Sequence, residues 1–538
     1  MAVQRLPEIA MYIIIKQKGK NMNKTGYKIA AAIEIGPESV NMKIAQPKDG
    51  REIEILESLA QPVNLGDESF SGGPISFDTA ETAADVLNNY YDLTKEYRIP
   101  IEYISAVATT ALRQASNKNY VSDQISVKTA RQITIMEDAE EKSLIFREMF
   151  RRYKNSGCPD ETYLMVYTGT GSVGVAAVQD SMIVYSQNVK TDTLKLTKMT
   201  DDIESLSMND FAKVIDEYLN YISGPIRKNI KKINISTIAA SGEEIDIIEN
   251  LCKKYEKKAK IINKEALFSI YRDVSHKSSK YLEDTFGLPF EKCKKLLIIM
   301  AFYLKVMDIT GVDSILNVGA NITDALLYNL LFRKEAKQQK KDFDYNMVTS
   351  ARFLAEKYDY DKLHSAAVED FALTIFDNLK KVHGFSRRER LYLQTAAILH
   401  DIGKYVDSTD YDLATVDLIR NSFIISLNTQ QKNIIANIAR YHGNQTPNPE
   451  HYAYSILSDS QKLIVSKLSA ILRLADALDY SRIQKIRKIE LELYEKKLSI
   501  IAEGNEDTAL EEWTFNNQSV FFEQVFGIKC DFVKKGMI

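Results

Sequence analysis

Two widely separated stretches of the chain share one pattern, and nothing else in the sequence limits the fold as much. From Tyr27 the chain reads YKIAAAIEIG, turns through Pro37 and Glu38, and resumes as SVNMKIAQ. Two β-rich runs around a tight turn predict a hairpin. From Tyr163 the pattern returns as YLMVYTGTGSVGVAAVQDSMIVYSQ, which is strand, glycine turn, strand, polar turn, strand. After each copy come longer stretches, Asp78 to Tyr97 and Met208 to Tyr221, with apolar residues at helical spacing. The front half is therefore alternating α and β, one unit used twice. Each copy offers a glycine turn, where backbone N–H groups can approach an anion closely.

The texture changes at Arg333. The run RKEAKQQKKD has no apolar periodicity and reads as a solvated helix end or linker. From about Val348 to Arg482, segments such as FALTIFDNLKKV, RLYLQTAAILH and KLIVSKLSAILRLADALD are amphipathic and helical. After Lys488 the alternation IELELYEKKLSIIAEG predicts a hairpin in a small closing domain of mixed α+β structure.

At 538 residues the chain is too long for one core and predicts three or four domains. Its 45% hydrophobic and 27% charged residues are those of a globular protein, and a net charge of -3 argues against a general nucleic-acid binder. Cys158, Cys252, Cys293 and Cys530 are scattered without a CxxC pair, which points to a reducing cytoplasmic setting. The apolar run Ile9 to Ile15 is too short for a bilayer, which takes about 20 residues, and it lacks a small-residue cleavage site. No membrane span is expected, and residues 1–24 read as a tail.

Five of the six histidines, His364, His383, His400, His442 and His451, fall in one short interval. AAILHDIGKY puts His400 beside Asp401 at a helix end, His364 opens an earlier helix, and Asp476 lies in LRLADALD on a later one. Imidazole with carboxylate suits one divalent transition metal such as Mn²⁺, Fe²⁺ or Zn²⁺. A competing reading makes these residues a hydrogen-bonded helical interior without metal. His383 and His442 read as structural, and His451 as solvent-facing in a Pro-rich loop.

The series of motifs from Tyr27 onward resembles the exopolyphosphatase and guanosine-pentaphosphate phosphohydrolase (Ppx/GppA) family. EIGPES (Glu34 to Ser39) resembles its first phosphate loop DIGSNS, and ATTALRQASN (Ala108 to Asn117) its ATxALRxAxN segment. ITIMEDAEEKSLIF, holding Glu141, resembles the catalytic IxxISGxEEAxLI stretch, and YTGTGSVG (Tyr167 to Gly174) the second loop DIGGGSTE. IAASGEEI and GANITDALLYNLL resemble the later adenosine-side loop and the GLREGLLYELL helix, with Thr323, Asp324 and Ala325 in place of Arg-Glu-Gly. The set His364, His400, Asp401 and Asp476, with ARYH and DALD beside it, resembles the H…HD…D signature of HD phosphohydrolases. YDLAT (Tyr411 to Thr415) stands where an HHKHS-like run is common, so two metals are not expected.

The resemblance implies an α/β plus mainly α fold: duplicated actin-like (ribonuclease-H-like) phosphatase domains at 25–146 and 147–333 and a linker at 334–345. A helical HD domain at 346–488 and the small α+β domain at 489–538 follow. It implies Glu141 as general base and Ser39, Arg113, Gly169, Gly171 and Ser172 as the phosphate cradle. The metal ligands would be His364, His400, Asp401 and Asp476. Mg²⁺ is the implied ion of the front site, although Tyr167 and Gly174 stand where two of its carboxylates belong. Inorganic polyphosphate or guanosine tetra- and pentaphosphate are the implied partners, and family exopolyphosphatases are often homodimers. The leading expectation is release of terminal phosphate by water attack. The alternatives are a lapsed enzyme that senses polyphosphate or nucleotide, and a metal-dependent phosphohydrolase working from the HD half. Glu141 has a second reading too, because Asp138 and Glu141 have the spacing of a capping box.

Overall fold

The computed structural model describes residues 28–535 except 49–51, 71, 159–161, 170–171, 191–207, 254–260, 278–280, 282–283, 286, 289, 408, 444, 495 and 505. The expected tail 1–24 and the site residue Gly171 lie outside the described residues. The chain divides into two compact units, residues 1–181 with 187–342, and residues 182–186 with 343–538.

The first unit is built on two sheets. β1 (Ala30–Ile35) pairs antiparallel with β2 (Ser39–Lys48), which pairs antiparallel with β3 (Glu52–Pro62). On its other side β1 runs parallel to β4 (Ile104–Ala108), and β4 to β5 (Thr134–Ile135), giving the order β3-β2-β1-β4-β5. Nearly all of β1 is buried, as its apolar residues require of a central strand covered on both faces, and Glu34 is the one position left partly open.

The second sheet has the order β10-β11-β9-β6-β7-β8, formed by β6 (Thr162–Thr168), β7 (Ser172–Gln179), β8 (Met182–Lys190), β9 (Thr237–Ser241), β10 (Ile261–Asn263) and β11 (Ser314–Asn317). β6 is antiparallel to β7 and parallel to β9, the same pairing that β1 makes with β2 and β4. Helix Ile322–Leu331 packs on the first sheet at β1 and β2, where Leu327 is fully buried. The charged run expected as a linker is helical from Arg333 to Phe343, because Ala336 and Phe343 give it a buried edge.

The second unit is mainly helical. Its helices start where the sequence supplies caps: Asp361 accepts from the His364 N–H, and Ser386 with Glu389 and Ser458 with Gln461 form capping boxes. The closing hairpin, β12 (Lys488–Tyr494) with β13 (Lys497–Glu503), is completed by parallel β14 (Lys529–Lys534). Leu498, Ile500, Phe515 and Phe522 join the same buried core as the preceding helices, so residues 489–535 do not have a core of their own. Among the described residues, no helix is long and apolar enough to cross a membrane.

Candidate functional site

Both glycine turns close in the same way. The Gly36 N–H donates to the Ser39 carbonyl at 2.9 Å, and the Gly169 N–H to the Ser172 carbonyl at 3.0 Å. They line one cleft of about 410 Å³, with Ser39, Gly36 and Gly169 on its wall beside Glu34, Lys43 and Tyr167. Two sequence-separated glycine turns thus meet at one space.

Beside it, helix Asp138–Asn155 opens with three acids in its first turn, Asp138, Glu140 and Glu141, where the positive end of the helix dipole favours them. The anticipated capping box is not formed. The helix is capped at Glu137 without a side-chain cap bond, Asp138 takes the Lys142 ammonium and the Asn188 amide, and Glu141 turns to Arg113. Glu141 is 6% exposed and accepts from the Arg113 guanidinium at 3.0 Å. The same guanidinium donates to the Met136 carbonyl at 2.7 Å and to the Thr110 hydroxyl at 2.9 Å. In this arrangement Arg113 orients the carboxylate and aims its bonded donors at the protein.

Charge is crowded around the cleft. Burial, then the charges of Glu141 and Glu243, push Glu34 up to about 8, with Lys43 opposing. Burial, then Glu141 and Glu34, keep the Tyr167 phenol protonated well above its usual range. Burial opposes ionisation of Glu38, but Lys295 at 3.2 Å and Lys292 at 3.5 Å lower its pKa overall. Lys295 also holds Glu244 at 2.7 Å. Asp324, in the first turn of helix Ile322–Leu331, gathers Lys43 at 2.7 Å and Arg152 at 2.6 Å.

The implied Mg²⁺ does not suit these positions. Tyr167 and Gly174 face each other across the β6–β7 ladder, so the two missing carboxylates belong to one spot. A Cβ on Gly174 would lie 3.0 Å from Phe146 Cζ and 3.7 Å from Lys142 Cδ, so the space for a side chain there is already filled. Among the described residues, the groups of three carboxylate, imidazole or thiol ligands close enough to hold an ion all lie in the second unit.

There, His364, His400 and His442 turn their Nε2 atoms toward one another and toward Asp401 and Asp476. Each Nδ1 is engaged from outside: that of His364 with Asp479 at 2.9 Å, that of His400 with the Ala397 carbonyl at 2.7 Å, and that of His442 with the Ala439 carbonyl at 2.5 Å. Outer partners of this kind fix the tautomer that presents Nε2 to a metal. His364 Nε2 lies 3.3 Å from His400 Nε2 and 3.2 Å from Asp476, and His442 Nε2 lies 3.6 Å from Asp401. Burial holds His400 down at about 4, so its ring is neutral. Burial opposes protonation of His364, yet the carboxylates of Asp476 and Asp479 raise it to about 9. Asp401 is paired with Arg482 and with Lys404 at 2.8 Å, while its Oδ1 is buried without a hydrogen-bond partner. These donors fit one divalent transition metal. His442, read from sequence as structural, belongs to the cluster; its place after the helix that ends at Arg440 was visible, but its direction was not.

Residues 43–318 match the Ppx/GppA phosphatase family, and residues 348–519 match Ppx/GppA phosphatase, domain III. The guanosine-5'-triphosphate,3'-diphosphate pyrophosphatase of Photobacterium profundum is 20% identical over 443 residues, covering 82% of this chain and 86% of its own. That of Vibrio vulnificus is 21% identical over 505 residues, covering 90% and 93%. The crystal structure of an exopolyphosphatase from Cytophaga hutchinsonii matches with a TM-score of 0.50 at 17% identity, over 57% of this chain and 98% of that one.

Proposed function

This chain belongs to the Ppx/GppA phosphatase family, and on that premise we propose that it is a phosphoanhydride hydrolase releasing terminal phosphate from inorganic polyphosphate or guanosine pentaphosphate. The observation that carries the reading is Glu141, buried, fixed by Arg113 and close enough to the cleft that its charge shifts two wall residues, Glu34 and Tyr167. The pyrophosphatase and exopolyphosphatase activities that its relatives are named for agree with it.

In this account the terminal phosphate sits at the turns of Ser39, Gly169, Gly171 and Ser172. Glu141 takes a proton from water as the water oxygen bonds to the terminal phosphorus. The bridging P–O bond breaks, and orthophosphate leaves a chain shortened by one phosphate. Such general-base catalysis contributes typically ~10²- to 10⁴-fold. Arg113 acts by keeping the carboxylate aimed. Turnover in ¹⁸O-water tests the bond that forms: one ¹⁸O is expected in the released orthophosphate. Tight binding of the same substrates with no release at all would instead mark the chain as a sensor.

A second site rests on the imidazole cluster. The second unit is read as an HD-type domain holding one divalent transition metal at His364, His400, Asp401 and Asp476, with His442 as a further ligand. Such an ion would polarise a bound water or phosphate oxygen. Elemental analysis of protein loaded with Mn²⁺ and then desalted should give about one ion per chain, and near none in His400→Ala. Equal metal content in the two proteins would refute the site.

A further inference from the structure

We propose that the buried ammonium of Lys142 takes the place of a divalent cation behind the second glycine turn, so that the cleft binds phosphoanhydrides without a protein-held metal. This inference rests on the proposed function of the same cleft. Lys142 follows Glu141 on helix Asp138–Asn155, at the position where the EEA of the resembling stretch has alanine. It is 2% exposed, and its ammonium donates to Ser172 Oγ at 3.0 Å and pairs with Asp138.

Three departures from the family pattern converge here. Gly174 lies two residues beyond Ser172 on β7, hence on the same face. The Lys142 stem and the Phe146 ring fill the space that a side chain at 174 would need, and Tyr167 faces Gly174 across the ladder. Two carboxylates have gone and one ammonium has arrived in the same small volume. The charge balances as before: a divalent ion between two carboxylates sums to zero, and so do Lys142 and Asp138 beside a neutral phenol. Burial lowers the Lys142 pKa overall, against the opposing pull of Asp138 and then Glu141.

An ammonium only donates, so Ser172 Oγ must be the acceptor in their hydrogen bond. The Ser172 O–H is left to donate to a phosphate oxygen at the turn, and the charge behind it strengthens that bond. Lys142 is thus a positioning residue that acts through Ser172.

The test is calorimetric titration of tripolyphosphate into the full chain, in EDTA and in Mg²⁺, for wild type, Lys142→Met and Lys142→Arg. The wild-type Kd should change less than about threefold between the two buffers. Charge-assisted bonds of this type should make Lys142→Met at least ~10-fold weaker in EDTA, with part of the loss recovered in Mg²⁺. Lys142→Arg should keep EDTA binding within a few-fold. A purely structural role would weaken Lys142→Met equally in both buffers, which would overturn the inference. So would wild-type binding that requires Mg²⁺, or Lys142→Met binding like wild type in EDTA; both leave the cleft's proposed function standing. Binding by the wild type in neither buffer sinks the proposed function and the inference together.

Discussion

Glu34 is the residue whose ionisation should be felt in stability. Its folded pKa of about 8 exceeds its ordinary 4.5, so between these values the folded chain holds a proton that the unfolded chain has lost. Folding stability must therefore fall as pH rises through that window and level off above about 8. Glu34→Gln removes the titration without removing the side chain. Thermal melts from pH 5 to 9 should show wild type losing ground to Glu34→Gln as pH rises, and parallel curves would disprove the crowding of acids at this wall. Single residues could be singled out in the sequence where a motif named them, as with Arg113 and Glu141, but the motif assigned Arg113 to a phosphate and its guanidinium instead pairs with Glu141, Met136 and Thr110. They were not legible where the role depends on a distant segment. Lys142 reads as an ordinary i,i+4 partner of Asp138 until β7 is placed beside it. His442 reads as a core histidine until the direction of its Nε2 is seen.

Among the elements, the turns are the most constrained. Gly242 follows β9 with φ +137°, and a Cβ there would sit 2.2 Å from Thr168 Oγ1 and 2.5 Å from the Thr168 carbonyl at the end of β6. The backbones approach so closely because β6 and β9 are parallel neighbours whose ends both reach the cleft. Gly242→Ala combines backbone strain with overpacking and should cost roughly 2–4 kcal/mol. Urea unfolding followed in the first unit checks this, and a loss below about 1 kcal/mol would contradict the close approach. The hairpin β1–β2 and the strands β6 to β8 were readable because apolar runs were cut by glycine or polar turns. Helix Arg333–Phe343 was not, since its two buried residues are too few to set a period among nine others. The capping box failed for another reason: Asp138 and Glu141 had stronger partners in Lys142 and Arg113 than in backbone N–H groups. The closing hairpin was foreseen, but its merger with the helical core depends on Leu498, Ile500, Phe515 and Phe522 finding apolar surface far away in sequence.

At the scale of the whole molecule, two constellations of polar side chains lie in separate units: the cleft with its glycine turns in the first, and an imidazole and carboxylate cluster in the second. Phosphate release is proposed for the first. Its most direct test is phosphate release from long-chain polyphosphate and from guanosine pentaphosphate by wild type, Glu141→Gln and Asp401→Ala, each checked for a native melt. Glu141→Gln should lose ~10²- to 10⁴-fold in rate while Asp401→Ala keeps its release. Release that survives in Glu141→Gln and disappears in Asp401→Ala would contradict it and move the chemistry to the second unit.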